Sequence, residues 1–158
     1  MDILVVYGTQ YGNTQRVAQA IARALETDHR VRLIQAAEAR HLRGDDVDLL
    51  FVGAPTQMHG LRLLAKPFLE ALAARGFEGV AAASFDTRMG RELDRPLESN
   101  VIAQLLTDAG CRLVVAPESF LVLGFEGPLA DGEEARAEAW ARSVADAVGS
   151  AGPAGPEA

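Results

Sequence analysis

The residues best suited to chemistry form a short segment, GTQYGNT, at positions 8–14. It follows an apolar run and leads into an amphipathic stretch, so it predicts a turn between a strand and a helix. The N–H groups and the dipole of a helix N-terminus bind anions such as phosphate. Two glycines permit the turn, and Thr9, Asn13 and Thr14 add short polar side chains. The segment therefore predicts a site for one terminal phosphate.

Other nucleotide-binding patterns are absent from this segment. It has no lysine of the GxxxxGK[ST] type, and Gly8 and Gly12 lie four positions apart, which does not fit GxGxxG. Tyr7 and Gly8 stand where a response regulator would carry acidic residues. Since neither lysine nor arginine lies within the segment, neutral donors would hold the phosphate.

The other reactive residue types do not form sites. His29, His41 and His59 lack the spacing of metal ligands. The single cysteine, Cys111, excludes an internal disulfide framework and lacks the neighbourhood of a phosphatase nucleophile, and no serine lies in a GxSxG pattern. The sequence predicts no metal site and no catalytic residue.

Composition and charge limit the class of protein. The chain has 158 residues, 49% apolar and 23% charged, which fits one globular domain. Its net charge is −7, with thirteen acids and six bases in residues 80–158, so nucleic acid is not an expected partner. No run of 18 apolar residues or signal peptide is present, so we expect no membrane insertion and a cytoplasmic location.

Short apolar runs alternate with longer helical patterns along the chain. The expected strands are Ile3–Tyr7, Val31–Ile34, Leu49–Val52, Val80–Ser84 and Leu113–Val115, and an alternative for the last is a strand that continues through Phe120–Leu123. The expected helices are Thr14–Glu26, 61–75, Glu98–Ala109 and a last helix that ends near Val148.

This alternation predicts an α/β fold: a single three-layer, doubly wound domain over residues 1–148. Right-handed crossovers favour a five-stranded parallel sheet in the order 2-1-3-4-5. The Gly- and Pro-rich residues 149–158 are expected to form a disordered tail. In such folds ligands lie beyond the carboxyl ends of the strands, here segments 8–14, 53–62, 85–95 and 124–131.

Segment 8–14 resembles the phosphate loop of the flavodoxin family, [ST]-x-T-G-x-T. Thr9, Gly12, Asn13 and Thr14 match in order and position, and Tyr11 replaces the middle threonine. The element order and chain length resemble a short-chain flavodoxin over about residues 1–148. The resemblance implies a flavodoxin-like fold and a loop that binds the phosphate of FMN through Thr9, Gln10, Tyr11, Gly12, Asn13 and Thr14. The alternative is a helix cap with a glycine-rich turn and no ligand.

In that family the flavin ring lies between the loops after strands 3 and 4. The resemblance implies that the first loop consists of Pro55, Thr56, Gln57, Met58, His59 and Gly60. Met58 suits a contact with the ring, although it fits core packing equally well. Gly60 is a candidate for the family's reduction-linked peptide flip. The loop spacing leaves Met58-His59 and His59-Gly60 open as the flipping pair.

The second loop carries the candidates Phe85, Asp86, Thr87 and Arg88. Many flavodoxins have a tyrosine here against the outer flavin face, and none lies between positions 85 and 95. Weaker FMN binding is therefore expected, and Phe85 can either line the ring or point into the core.

The arginines of this second loop have two interpretations. Flavodoxins surround the flavin with acids, which keeps its reduction potential low, and Arg88 near flavin N1 would have the opposite effect. The interpretation favoured by the zero net charge of residues 85–95 is that the loop's arginines pair with its acids, Asp86, Glu92 and Asp94.

The resemblance implies an electron carrier that binds FMN and shuttles electrons between redox partner proteins with basic docking surfaces. Two alternatives stay open. One is a flavin-free interaction module, favoured by the missing tyrosine, and the other is an NAD(P)H-dependent quinone or FMN reductase. Whether the protein is an enzyme with its own substrate is not decided by the sequence.

Overall fold

The computed structural model describes residues 1–39, 41–56, 63–64, 66–90 and 97–151. The strands of these residues form one parallel sheet in the order β2-β1-β3-β4-β5, with β6 also paired to β4. The strands are β1 Asp2–Tyr7, β2 Arg30–Gln35, β3 Leu49–Pro55, β4 Ala81–Met89, β5 Arg112–Leu113 and β6 Glu118–Val122. The α-helices are α1 Asn13–Leu25, α2 Lys66–Ala74, α3 Glu98–Asp108 and α4 Glu133–Ala151.

The fifth position of the sheet is divided between two strands. β5 pairs with Ala81 and Ala82 at the start of β4, and β6 pairs with Phe85–Met89 at its end. Pro117 lies between β5 and β6, and its missing N–H removes a donor from the ladder at the break. The predicted order 2-1-3-4-5 is confirmed.

Helices cover both faces of the sheet, which confirms the three-layer, doubly wound architecture. α1 and α4 enclose one core with β1, β3 and β4, in which Phe51 and Ile21 are fully buried. α2 and α3 enclose a second core on the opposite face, in which Leu50, Phe68 and Ile102 are buried. β2 is an edge strand with mostly exposed residues, as the predicted order 2-1-3-4-5 requires.

The first helix follows the predicted apolar period. Val17, Ile21 and Leu25 recur every four residues and are at most 2% exposed, so one face of α1 is embedded in the core. The polar face lies beside α4, where Arg23 pairs with Glu138 at 3.0 Å. α1 is thereby held with its N-terminus at the carboxyl end of β1.

Several element boundaries differ from the sequence prediction, and β3 for example continues past Val52 to Pro55. β4 continues five residues past Ser84 to Met89, because its polar end pairs with both β3 and β6. The last helix continues past Val148 to Ala151, so the first residues of the expected tail are helical. Residues 152–158 lie outside the described part of the chain. Within the described part, no helix is long and apolar enough to cross a membrane.

Candidate functional site

The segment after β1 forms a tight turn at the start of α1. Gly12 is the N-cap residue with a φ of 89°, a conformation that favours glycine. The hydroxyl of Thr9 accepts a hydrogen bond from the N–H of Gly12 at 3.0 Å. No side chain caps the helix, so the N–H groups of its first turn are available to an anion.

Two threonine hydroxyls lie beside this helix terminus. Thr14 of α1 and Thr87 of β4 are almost completely buried, and their Oγ1 atoms are 2.8 Å apart. Either hydroxyl can donate to the other, so each retains hydrogen-bonding capacity for a further group. The extension of β4 beyond Ser84 is what carries Thr87 to this position.

A small pocket joins these groups. It is lined by Thr9, Gln10, Tyr11, Asn13, Thr14, Pro55, Thr87, Val122 and Phe125. The structure thus brings together five of the six candidate residues of the phosphate segment 8–14 with Pro55 and Thr87. The sixth, Gly12, shapes the turn.

The segment after β6, one of the four expected to lie near a ligand, supplies a wall of the pocket through Phe125, a residue that was not among the candidates. The Asn13 side chain donates to the backbone oxygen of Glu126 at 3.0 Å. The ring centroids of Tyr11 and Phe125 lie 5.8 Å apart at the rim, and both side chains are a little under half exposed. An aromatic residue within the Gly- and Pro-rich stretch 124–128 was the only sequence signal for this wall.

The candidate residues after β3 divide into described and undescribed groups. Pro55 lines the pocket, whereas the Thr56 hydroxyl accepts a hydrogen bond from the N–H of Glu98 at 3.1 Å, beside α3. Thr56 also donates its own N–H to the oxygen of Thr87 at 2.9 Å. Gln57, Met58, His59 and Gly60 lie outside the described residues, as does the expected peptide flip.

The structure corrects the candidate role of Phe85. Its side chain is fully buried, with ring centroids 6.4 Å from Phe120 and 6.2 Å from Trp140. β4 is still regular at this position, so strand alternation directs Phe85 into the core. Of the two alternatives given by the sequence, core packing is the one observed.

The next residues of β4 alternate between the two faces of the sheet. Asp86 is fully buried, and its Oδ2 accepts a hydrogen bond from the N–H of Ser99 at 2.9 Å. Arg88 is half-buried and forms no ion pair with Asp86. That part of the expected pairing among the loop charges is therefore not observed, and Glu92 and Asp94 lie outside the described residues.

A sequence model described as Flavodoxin matches residues 5–140 of the chain. The chain belongs to the flavodoxin family. This confirms the resemblance carried by the phosphate-loop residues. Flavodoxins bind a flavin, typically FMN, and act with redox partner proteins.

Solved flavodoxin structures share the fold at low sequence identity. Oxidised Flavodoxin 1 from Bacillus cereus has a TM-score of 0.73 at 17% identity, covering 92% of this chain and 98% of that chain. Flavodoxin 2 from the same organism has a TM-score of 0.73 at 20% identity, covering 92% and 99%. A flavodoxin, WrbA-like protein from Agrobacterium tumefaciens gives 0.67 at 20% identity, covering 94% and 98%. No curated protein sequence matches the chain.

The donor set of the pocket fits the phosphate of FMN, the cofactor that this family implies. The uncapped terminus of α1 and the hydroxyls of Thr14 and Thr87 offer hydrogen-bond donors to an anion. Arg16, the nearest cation in sequence, instead pairs with Glu134 at 2.8 Å. The groups beside the pocket that could bind an anion are therefore neutral donors.

Proposed function

We propose that this flavodoxin binds FMN and carries electrons between redox partner proteins. The observation that carries the proposal is the uncapped N-terminus of α1, which opens into a pocket shared with Thr14 and Thr87. Family membership supplies the expectation that such a pocket holds the phosphate of a flavin.

The residues around the pocket have distinct tasks in this proposal. The α1 N–H groups and the hydroxyls of Thr9, Thr14 and Thr87 hold the phosphate, while Asn13 fixes the segment after β6 against the loop. The loops after β3 and β4 hold the ring. FMN, when bound, supplies the redox chemistry, and the protein supplies binding, orientation and electrostatic tuning.

The proposed partners have basic docking surfaces and meet this protein in the cytoplasm. The proposal of basic partner surfaces is supported by the net charge of −7, all of which comes from residues 80–158. Opposite charge on a partner raises the rate of encounter without requiring a tight complex.

The first experiment is a visible absorption spectrum of the purified protein, followed by titration with FMN and with riboflavin. Riboflavin lacks the phosphate, so the proposal expects FMN to bind about a hundredfold more tightly, equal to roughly 2.7 kcal/mol. A protein that stays colourless and gains no thermal stability from FMN at about a hundred times the expected Kd contradicts the proposal, because saturation at that ratio adds about 2.7 kcal/mol. The flavin-free interaction module would then be the better description.

Variants locate the phosphate site. Thr14→Val removes one hydroxyl at nearly constant volume, and we expect FMN affinity to fall about tenfold while riboflavin affinity is unchanged. Thr107→Val is the matched control, since the Thr107 hydroxyl bonds to the oxygen of Ala103 within α3, outside the pocket. Equal losses for FMN and riboflavin would place the phosphate elsewhere.

The reductase alternative is tested with the same FMN-loaded protein. Electron carriage requires a partner, so NAD(P)H alone should not be consumed at a steady rate. Continuous NAD(P)H oxidation in the presence of a quinone would favour the enzyme.

A further inference from the structure

The most exposed apolar side chains of the molecule gather at one place on its surface. Among the described residues, six large apolar side chains are exposed, and the three most exposed are Leu123, Phe125 and Tyr11. The ring centroids of Tyr11 and Phe125 are 5.8 Å apart. Leu123 and Phe125 are two positions apart in the chain, so their Cα atoms lie within about 7 Å of each other. We call these three side chains the apolar patch.

The turn that carries Leu123 and Phe125 is held in place by hydrogen bonds. The N–H of Leu123 donates to the oxygen of Pro128 at 2.9 Å, which closes the turn. The side chain of Asn13 donates to the oxygen of Glu126 and joins the turn to the start of α1. A surface that is already fixed loses little conformational freedom when a partner binds to it, which favours docking.

The charge around the apolar patch is negative. Residues 118–136 carry five acids and one base. Glu126 and Asp131 are exposed and form no ion pair among the described residues. The other three acids of this segment form ion pairs with arginines: Glu118, Glu133 and Glu134. Two uncompensated carboxylates therefore remain in the turn and just after it.

The other exposed leucines of the described residues have different surroundings. Leu33 and Leu113 each follow an exposed arginine in the chain, and Leu121 is in register with Arg88 of β4. Leu33 and Leu113 lie in β2 and β5, on opposite sides of the sheet. Single exposed leucines of this kind are ordinary surface features, whereas a group of apolar side chains with a polar rim is typical of an interaction site.

We propose that the apolar patch docks a redox partner whose contact surface has an apolar centre ringed by lysine or arginine. This inference rests on the proposed function and deepens it by naming the surface of contact. The apolar side chains match the centre of such a partner, and the carboxylates of Glu126 and Asp131 match its ring. A second copy of this chain fits less well, because it would bring like charges together. Tyr11 and Phe125 also line the phosphate pocket, so a partner docked here lies beside the cofactor.

The first test removes an apolar side chain that does not line the phosphate pocket. Leu123→Ser and Leu33→Ser make the same change at two exposed leucines, one in the patch and one in β2. Both are studied by stopped flow as reduced, FMN-loaded protein mixed with ferric cytochrome c, a basic protein whose haem edge is ringed by lysines. We expect Leu123→Ser to lower the second-order rate constant about tenfold, the factor that loss of one leucine contact can produce. Leu33→Ser should leave it unchanged.

The same two variants are then mixed with ferricyanide, a small oxidant that needs no docking surface. Neither change should alter this rate, because neither alters the charge of the protein. A loss with ferricyanide equal to the loss with cytochrome c would show that Leu123→Ser impairs the cofactor, and it would contradict the docking role.

A second pair of variants tests the charge beside the apolar patch. Glu126→Gln and Glu78→Gln each remove one exposed carboxylate, and Glu78 lies before the amino end of β4, away from the patch. At about 0.01 M ionic strength the rate with cytochrome c should fall about threefold in Glu126→Gln, the effect of one charge at roughly 7 Å in water. The difference from wild type should disappear at about 1 M, where the Debye length is about 3 Å. Glu78→Gln should match the wild type at both.

Equal rates with cytochrome c in Leu123→Ser and the wild type would overturn the inference while leaving the proposed function intact. A wild type that sediments as a dimer, with Leu123→Ser a monomer, would also overturn it, because the patch would then contact a second copy. If the wild type binds no FMN, the proposed function fails, and the surface is tested by calorimetric titration with ferric cytochrome c at low ionic strength. Weaker binding by Leu123→Ser than by Leu33→Ser supports the docking surface, and equal binding contradicts it.

Discussion

The single thiol of the chain lies just after α3, where its hydrogen is directed at a backbone oxygen. Cys111 is buried, and its Sγ donates to the oxygen of Phe77 at 3.5 Å. Burial raises the pKa of the thiol to about 11 from an ordinary value of 9.0. The reactive thiolate is therefore about a hundredfold less populated than in an exposed cysteine.

We accordingly expect Cys111 to be inert in the folded protein. A disulfide-exchange reagent at pH 8 should label it at least a hundredfold more slowly in buffer than in denaturant. The denatured protein is the control for reagent quality and thiol content. Labelling at similar rates in both conditions would show that the region around β5 opens readily.

Individual site residues differed in how far the sequence could predict them. Thr9, Asn13 and Thr14 could be assigned because a glycine turn before a helix has few possible geometries. Phe85 could not, since its orientation depends on whether β4 has ended at that point. Phe125 was not predicted as a site residue, because a local sequence pattern does not indicate which distant loop a turn contacts.

At the level of the elements, the absence of a side chain at Gly53 in β3 leaves room for the ring of Phe85 in the neighbouring strand β4. The two residues are in register, and a Cβ added at Gly53 would lie 2.1 Å from the Phe85 ring. The ring is itself fixed by Phe120 and Trp140, so it has little room to move.

Gly53→Ala should therefore overpack the sheet and lower the free energy of unfolding by about 1–3 kcal/mol, measured by urea denaturation. Gly149→Ala is the control, because Gly149 lies in α4 with nothing near its added Cβ. That change should leave stability unaltered or raise it by up to about 1 kcal/mol. Equal effects of the two changes would mean that Phe85 repacks easily.

The start of α4 is joined to β6 by a buried carboxylate. Glu133 accepts hydrogen bonds from Arg136 at 2.8 and 2.9 Å and from the N–H of Leu121 at 2.7 Å. The Arg136 guanidinium also lies 4.4 Å from the centre of the Phe120 ring. The bond from Arg136, followed by that from Leu121, lowers the pKa of Glu133 despite its burial.

Because the pKa of Glu133 is lower in the folded state, the stability that its carboxylate contributes depends on pH in one direction. It is fully present above the unfolded pKa, about 4.3, and is lost as pH falls toward the lower pKa of the folded state. Glu133→Gln should lower the free energy of unfolding by about 1–3 kcal/mol at pH 7, and the difference from wild type should shrink below about pH 4.

The control for this change is Glu138→Gln on the same helix. Glu138 pairs with Arg23 at the surface, so its loss should cost at most about 1 kcal/mol. A difference between Glu133→Gln and wild type that stays constant from pH 7 to pH 3 would contradict the assigned role of the carboxylate.

The order of the elements was predictable because buried parallel strands and amphipathic helices have distinct periods. The end of β4 was not, because Asp86, Thr87 and Arg88 interrupt its apolar run. These polar residues are accommodated by bonds to Ser99 and Thr14, which are distant in sequence. The part of the strand that sequence patterns miss is thus the part that carries the candidate site.

At the scale of the whole molecule, charge is distributed unevenly. Residues 1–79 carry nine acids and nine bases, whereas residues 80–158 carry thirteen acids and six bases. A negative field of this kind accelerates the approach of cations and slows that of anions. Salt weakens both effects, since the Debye length falls from about 30 Å at 0.01 M to about 10 Å at 0.1 M ionic strength.

Electron transfer from the reduced, FMN-loaded protein should therefore depend on salt with opposite signs for two small oxidants. The rate with hexaammineruthenium(III), a trication, should fall by about tenfold between 0.01 M and 0.1 M ionic strength, and the rate with ferricyanide, a trianion, should rise. Stopped-flow measurement of flavin absorbance gives both rates on one protein sample. Each oxidant controls for the other, because a general effect of salt on the fold or the cofactor would move both rates in one direction. If neither rate changes with ionic strength, the acidic half does not steer partners. If the rate with the trication rises and the rate with ferricyanide falls, a local cation such as Arg88 dominates the field at the site.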